Sequence, residues 1–292
     1  MNTTDLRFRS NRVRDIISLF HEELDCMYGS GEVGVFCEML FEAFLGWDKV
    51  RLLISREQTI DQSDLLRFHW ALEDLKQSRP IQHIIGYTDF CGCRIEVSPD
   101  VLIPRPETEE MVQWIISTFI IHHSSFNILD LCTGSGCIAI ALKKACPAAD
   151  VTAVDVSPEA LEIARQNAQN NGVEVQLVEG DVLSGVDGLN GQYGLIVSNP
   201  PYVRDSERAQ MHRNVLKYDP ALALFVPDDD PLRFYKAIAI IAKEHLAEDG
   251  QVVVEINEAL AEETCVLFRE QGFTPRVHED FRGKQRWISA TR

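Results

Sequence analysis

The run Ile128-Leu129-Asp130-Leu131-Cys132-Thr133-Gly134-Ser135-Gly136-Cys137-Ile138-Ala139 reads as a buried strand that passes through a glycine turn into a helix. Glycine has no Cβ, so such a turn lets backbone approach a ligand closely. The helix start adds N–H groups without intrahelical partners. Outward from this run the pattern is strand, helix, strand, helix. Phe126–Leu131, Val151–Val156, Val173–Val178, Leu195–Ser198 and Gln251–Ile256 are apolar enough for buried strands. Ile138–Cys146, Pro158–Asn170 and Pro231–Leu246 have the length and spacing of helices. This alternation predicts an α/β fold with an open, mainly parallel sheet. The tail from Phe273 to Ala290 carries short alternating runs around Arg282-Gly283-Lys284 and predicts a terminal antiparallel pair.

Two carboxylates follow the glycine turn at informative places. Asp155 ends the second strand, 19 positions after Gly136, where it can accept both hydroxyls of a ribose. The third strand runs into Glu179-Gly180-Asp181-Val182, a candidate contact for an adenine edge. A G-x-G-x-x-A turn serves NAD, FAD and S-adenosylmethionine alike, so it cannot choose among them. Asp130, just before the glycines, is placed to face a sulfonium and favours S-adenosylmethionine.

The choice of reaction rests on Ser198-Asn199-Pro200-Pro201-Tyr202, after the fourth strand. Parallel sheets bind ligands outside the carboxyl ends of their strands, so this loop shares a crevice with the glycine turn. Two prolines keep the backbone extended and leave carbonyls without neighbouring N–H groups. A planar –NH2 group has two N–H donors; the Asn199 side-chain oxygen and the Pro200 carbonyl each accept one, and Tyr202 covers the plane. The nitrogen is then aimed at a methyl donor. In-line methyl transfer needs positioning more than a nucleophilic side chain.

The N-terminal part has a different character. Val13, Ile16, Ile17, Phe20 and Leu24, then Val35, Met39, Phe41 and Phe44, then Leu65, Phe68, Leu72 and Leu75 recur at helical spacing, with Asp61 and Ser63 as candidate caps. A small helical bundle over 1–79 is expected. Short apolar runs broken at Gly86 and Gly92 predict a hairpin linker over 80–104, ahead of a domain over 105–292. That linker closes on Leu102-Ile103-Pro104-Arg105-Pro106-Glu107-Thr108-Glu109, with Thr108 as the cap of a helix over Glu109–Ile120.

These motifs together resemble the class I S-adenosylmethionine-dependent methyltransferases with an N-P-P-Y loop. More closely, the chain resembles the HemK/PrmC family, which methylates the glutamine amide in the Gly-Gly-Gln motif of peptide chain release factors. The Ile103–Glu109 run is the most family-specific piece, and the resemblance covers nearly the whole chain. It implies a Rossmann-like, seven-stranded catalytic sheet joined by a β-hairpin to a helical domain that contacts the release factor. Cys132, Thr133, Gly134, Ser135, Gly136, Asp155, Asp181 and Val182 would bind S-adenosyl-L-methionine, with Asn199 bordering it. Pro104, Arg105 and Thr108 would close over the donor, and Asn199, Pro200, Pro201 and Tyr202 would hold the glutamine amide. Asp280, Gly283 and Arg286 match the family's last hairpin, and Tyr218-Asp219-Pro220 its tyrosine–acid–proline run. Cys132 stands where the family usually has glycine. Phe225 to Pro231 lacks the family's glycine-rich turn.

Composition narrows the alternatives. The 292 residues hold 28 Lys+Arg against 45 Asp+Glu, a net charge of −17. An adenine-N6 methyltransferase acting on nucleic acid would use the same amino-holding loop on a flipped base, but needs a basic surface. Residues 1–80 carry 10 Lys+Arg against 14 Asp+Glu, and 81–292 carry 18 against 31, so neither part is basic. A cofactor-binding scaffold without activity leaves the N-P-P-Y loop unexplained, as does a nicotinamide oxidoreductase. No stretch has the length of an apolar membrane span, and the polar Met1–Asp15 lacks the apolar core of a signal peptide. The eight cysteines show neither a disulfide framework nor paired zinc spacing, so reduced thiols, no metal and a cytoplasmic protein are expected; a monomer is expected too, without support from the cysteines. His122-His123 is expected at a helix end rather than on a metal. Trp47 and Trp70 are expected in the core, and Cys91 and Cys93 on one face of a strand.

Overall fold

Residues 8–120 and 126–292 are described by a computed structural model, so His122 and His123 lie outside the described residues. Contacts gather into two units, Met1–Gly86 and Tyr87–Arg292.

The first unit contains α1 (Val13–Tyr28), α2 (Ser30–Leu45), α3 (Lys49–Ile54), α4 (Gln62–Lys76) and α5 (Ile81–Ile85). The apolar residues at helical spacing, among them Ile16, Phe20, Leu24, Phe41, Phe68 and Leu72, are buried together. The rings of Phe20, Phe41 and Phe68 meet at its centre. Two expectations are corrected here. Ile81–Ile85 is one helical turn and not a strand: Pro80 sets its start, and Gly86 ends it in the left-handed region at φ +87°. Trp47 is buried, but Trp70 is 61 % exposed because it stands on the outer face of α4. Asp61 does cap α4 by position, with no side-chain hydrogen bond to it.

The second unit opens with a tight hairpin, β1 (Tyr87–Phe90) and β2 (Cys93–Glu96). Its two turn residues, Cys91 and Gly92, both have positive φ, as a two-residue turn between twisted strands requires. Cys91 is therefore in the turn and does not share a strand face with Cys93. The chain continues through α6 (Pro106–Thr118), β3 (Asn127–Leu131), α7 (Cys137–Ala145), β4 (Asp150–Asp155), α8 (Pro158–Asn170), β5 (Gln176–Glu179) and β6 (Tyr193–Ser198). Then come β7 (Val203–Arg204), α9 (Arg213–Tyr218), β8 (Phe225–Val226), α10 (Arg233–His245), β9 (Leu246–Glu255), α11 (Ala261–Glu270), β10 (Thr274–Glu279) and β11 (Gln285–Thr291).

The seven-stranded sheet has the order β10-β11-β9-β6-β3-β4-β5. The strands from β5 to β9 are parallel, while β11 runs against β9 and β10 against β11. Side chains along each strand alternate between two buried faces. Ile128, Val151, Leu195 and Val197 pack on one side of the sheet, and Leu129, Leu131, Val154 and Ile196 on the other. The chain leaves β3 for β4 on one side and later returns to β6 on the other. That reversal opens a crevice at the carboxyl ends of β3 and β6. Among the described residues, no helix is long and apolar enough to cross a membrane.

Candidate active site

The glycine turn is held from within. Cys132 (φ +60°), Gly134 (φ +53°) and Gly136 (φ +79°) all lie in the left-handed region. Asp130 Oδ2 accepts hydrogen bonds from Thr133 Oγ1 at 2.6 Å and from the Ala139 N–H at 3.2 Å, bracing the turn against the start of α7. Asp130 is fully buried, and burial pushes its carboxyl up to about 7. It faces its own loop and does not line the crevice, so its expected role towards a sulfonium gives way to a structural one.

Asp155, at the end of β4, accepts from the Gly134 N–H at 2.8 Å and the Ser157 N–H at 3.0 Å. Burial raises its pKa, and the backbone donors oppose that rise. Asp181 turns back on its own loop, accepting from the Leu183 N–H and the Ser184 hydroxyl, each at 2.9 Å. Gly136, expected at the cofactor, is not among the residues that line the cavity beside Asn199 and Asp155. A Cβ there would stand 3.0 Å from that of Ala164, so this glycine lets α7 pack against α8.

The Asn199 loop is held from outside. Asn199 Nδ2 donates to Thr108 Oγ1 at 3.1 Å, and Thr108 Oγ1 donates to Glu255 Oε2 at 2.6 Å. The Tyr202 hydroxyl donates to the other oxygen, Glu255 Oε1, at 2.8 Å. Asn257 Nδ2 donates to the Tyr202 carbonyl at 3.1 Å and to Glu207 Oε2 at 2.9 Å. Thr108 lies inside the first turn of α6, whose cap is Arg105, so its hydroxyl is free for this network and does not cap the helix. Arg105 forms an ion pair with the buried Asp219.

Two cavities meet at this loop. The larger, about 390 Å³, is lined by Pro104, Thr108, Cys132, Thr133, Gly134, Ser135, Asp155, Asp181, Val182, Asn199 and Pro201, with Val156, Leu183 and Phe234 among its apolar walls. The smaller, about 180 Å³, is lined by Arg105, Asn199, Pro200, Tyr202, Met211 and Val215, among others. Leu102, Asn199 and Ala223 border both.

Comparison with known proteins assigns both units. Residues 29–86 match the PrmC N-terminal domain, and residues 112–220 match the methyltransferase small domain. The release factor glutamine methyltransferase of Flavobacterium psychrophilum is 42% identical over 284 residues, 96% of each chain. That of Bacteroides thetaiotaomicron is 39% identical over 279 residues, 95% of this chain and 99% of its own. The chain belongs to the release factor glutamine methyltransferase family. In fold it is also similar to a solved methyltransferase from Pyrococcus furiosus, with a TM-score of 0.54 at 22% identity, covering 74% of this chain and 97% of that one.

The larger cavity suits the cofactor of a family member. Its volume is that of a small-molecule site, with apolar walls and a few convergent polar groups. No heavy atom lies within 4 Å of where a Gly134 Cβ would stand, so the turn is open to a ligand. Cys132 occupies a left-handed conformation that favours glycine. Burial pushes the Cys132 thiol far above its ordinary range, which disfavours the thiolate. Among the described residues, no group of three or more His, Cys, Asp or Glu is placed to hold a metal.

Glu255 and Asn257 escape a reading of motifs. Their signal is nonetheless present: Val252-Val253-Val254-Glu255 is an apolar run closed by an acid at the carboxyl end of a parallel strand. The same arrangement draws attention to Asp155.

Proposed function

We propose that this chain methylates the side-chain amide nitrogen (N5) of the glutamine in the Gly-Gly-Gln motif of peptide chain release factors, with S-adenosyl-L-methionine as donor. The observation that carries the reading is the meeting of a cofactor-sized cavity and a smaller one at Asn199. The donor supplies an electrophilic methyl group carried on a sulfonium. Cys132 to Ser135 shape the cradle, Asp155 accepts from the ribose, and Asp181 and Val182 border the adenine. Pro104 and Thr108 wall the donor side. Asn199 Oδ1 and the Pro200 carbonyl accept the two N–H groups of the glutamine amide, and Pro201 and Tyr202 fix the loop that presents them. Arg105, expected over the donor, is tied to Asp219 and instead lines the acceptor cavity. No side chain acts as a nucleophile; the residues align nitrogen and methyl and exclude water.

The helical unit recognises the body of the release factor in this reading. Trp70, Leu53 and Ile54 give it exposed apolar side chains for such a contact. The protein works as a cytoplasmic monomer without binding nucleic acid, in keeping with its net charge of −17.

The test is incubation of the purified protein with labelled S-adenosylmethionine and either a release factor or nucleic acid. Label on the glutamine of the release factor is expected. Label in nucleic acid alone would overturn the assignment, and label in neither would make the chain a binding protein.

A further inference from the structure

We propose that Glu255 is a positioning residue that acts through Thr108 to fix which end of the Asn199 carboxamide faces the acceptor, so that the site selects a glutamine amide over a glutamate carboxylate. The proposal rests on the acceptor assignment above.

The argument is a count of protons. Glu255 and Thr108 are each 2 % exposed, so water does not compete for their hydrogen bonds. As a carboxylate, Glu255 can only accept, and its two oxygens receive the hydroxyls of Thr108 and Tyr202. Burial raises the pKa of Glu255, while these two donors and the charge of Arg286 oppose the rise. Thr108 has a single hydroxyl proton, and that proton is committed to Glu255. Towards Asn199, 3.1 Å away, Thr108 Oγ1 can therefore only accept. The Asn199 atom at that position must be Nδ2, which leaves Oδ1 as the end offered to a ligand. The oxygen and nitrogen of a carboxamide are nearly equal in shape, so the hydrogen-bond network decides the flip.

The flip sets the chemistry of recognition. An outward Oδ1 accepts an N–H from a glutamine amide. A glutamate carboxylate brings only lone pairs, and oxygen would face oxygen. Without Glu255, or without the Thr108 hydroxyl, nothing prevents Asn199 from turning over. It would then offer –NH2, which suits the carboxylate and not the amide. Sites built around one hydrogen-bond polarity reject the mismatched analogue strongly because a buried polar group is left unpaired.

The experiment measures binding of two full-length release factors, one with Gly-Gly-Gln and one with glutamate in place of that glutamine, in the presence of S-adenosylhomocysteine. The parent protein should favour the glutamine form by about tenfold or more, the worth of one buried polar mismatch. Thr108→Ser, which keeps the hydroxyl, should retain the preference. Thr108→Val, nearly equal in shape, should bring the ratio close to one, and Glu255→Gln should reduce it. An undiminished preference in Thr108→Val would overturn the proposal.

A second readout does not depend on the substrate. The side-chain N–H signals of Asn199 in the nuclear magnetic resonance spectrum should shift in Thr108→Val and stay in place in Thr108→Ser. Identical signals in all three proteins would overturn the relay. If neither factor binds the parent protein, the acceptor assignment falls, and the Asn199 signals still decide the relay.

Discussion

The two loops that build the crevice leave neighbouring strands, β3 and β6, yet they keep their shapes by opposite means. The glycine turn is braced by residues close in sequence: Asp130 by Thr133 and Ala139, and Gly134 by Asp155, 21 positions away. The Asn199 loop is braced from afar, by Thr108 at 91 positions, and through Tyr202 by Glu255 at 53 and Asn257 at 55. A cradle for the cofactor can thus be written in one stretch of chain. A cradle that orients an acceptor amide takes side chains from three stretches, because it must fix the direction of individual lone pairs.

That contrast predicts separable damage. The largest effect should come from Asn199→Ala. Methyl transfer should fall on the order of 10²-fold, as when a positioned hydrogen-bond partner of a reacting group is removed, with cofactor affinity by calorimetry little changed. Equal losses in both would break the division between the loops. Next is Asp155→Ala, which removes the ribose acceptor and the tie to Gly134. Cofactor affinity should drop by about 10- to 100-fold, or roughly 1.4 kcal/mol per decade. An unchanged dissociation constant would remove Asp155 from the cradle.

Asp130→Asn probes the inner brace. Burial raises the Asp130 carboxyl to about 7 in the folded protein, whereas in the unfolded chain it releases its proton near the ordinary 3.8. Within that window the folded state binds more protons, so rising pH weakens the parent by at most about 1.4 kcal/mol per unit from this one group. Asparagine has no such proton. Denaturant unfolding across the window should show the variant gaining on the parent as pH rises, and parallel curves would refute the ionisation. The smallest effect is expected from Cys132→Gly. Relief of the left-handed backbone and the added freedom of glycine in the unfolded chain oppose each other, so stability should stay within about 1 kcal/mol of the parent. Cys132→Val, with a branched Cβ at the same φ, should lose more.

The same contrast explains what could be read from the sequence. The strands, the glycine turn, Asp155 and the Asn199 loop follow from local pattern, and the helix over Pro158–Asn170 matches residue for residue. Asp130 could be placed but not aimed, because its partners depend on how the turn closes. Thr108 reads as a cap, since a threonine near a helix start usually is one, and only the fold shows the Glu255 carboxylate beside it. Ile81–Ile85 is apolar and short, a pattern that fits either a strand or a single helical turn. Trp70 follows helical spacing only loosely, and its exposure depends on which face of α4 the bundle covers.

The hydrogen bond from Thr108 to Glu255 joins residues 147 positions apart, and the pair between Arg105 and Asp219 spans 114. A chain emerging from the ribosome N-terminus first carries the whole glycine turn long before it carries Glu255. Until Glu255, which opens about the last eighth of the polypeptide, has been made, the Thr108 and Tyr202 hydroxyls have no carboxylate to receive them. An unfinished chain therefore carries the residues of the cofactor cradle before the carboxylate that aims the acceptor loop. The network that orients the acceptor is thus completed late in the protein's own synthesis.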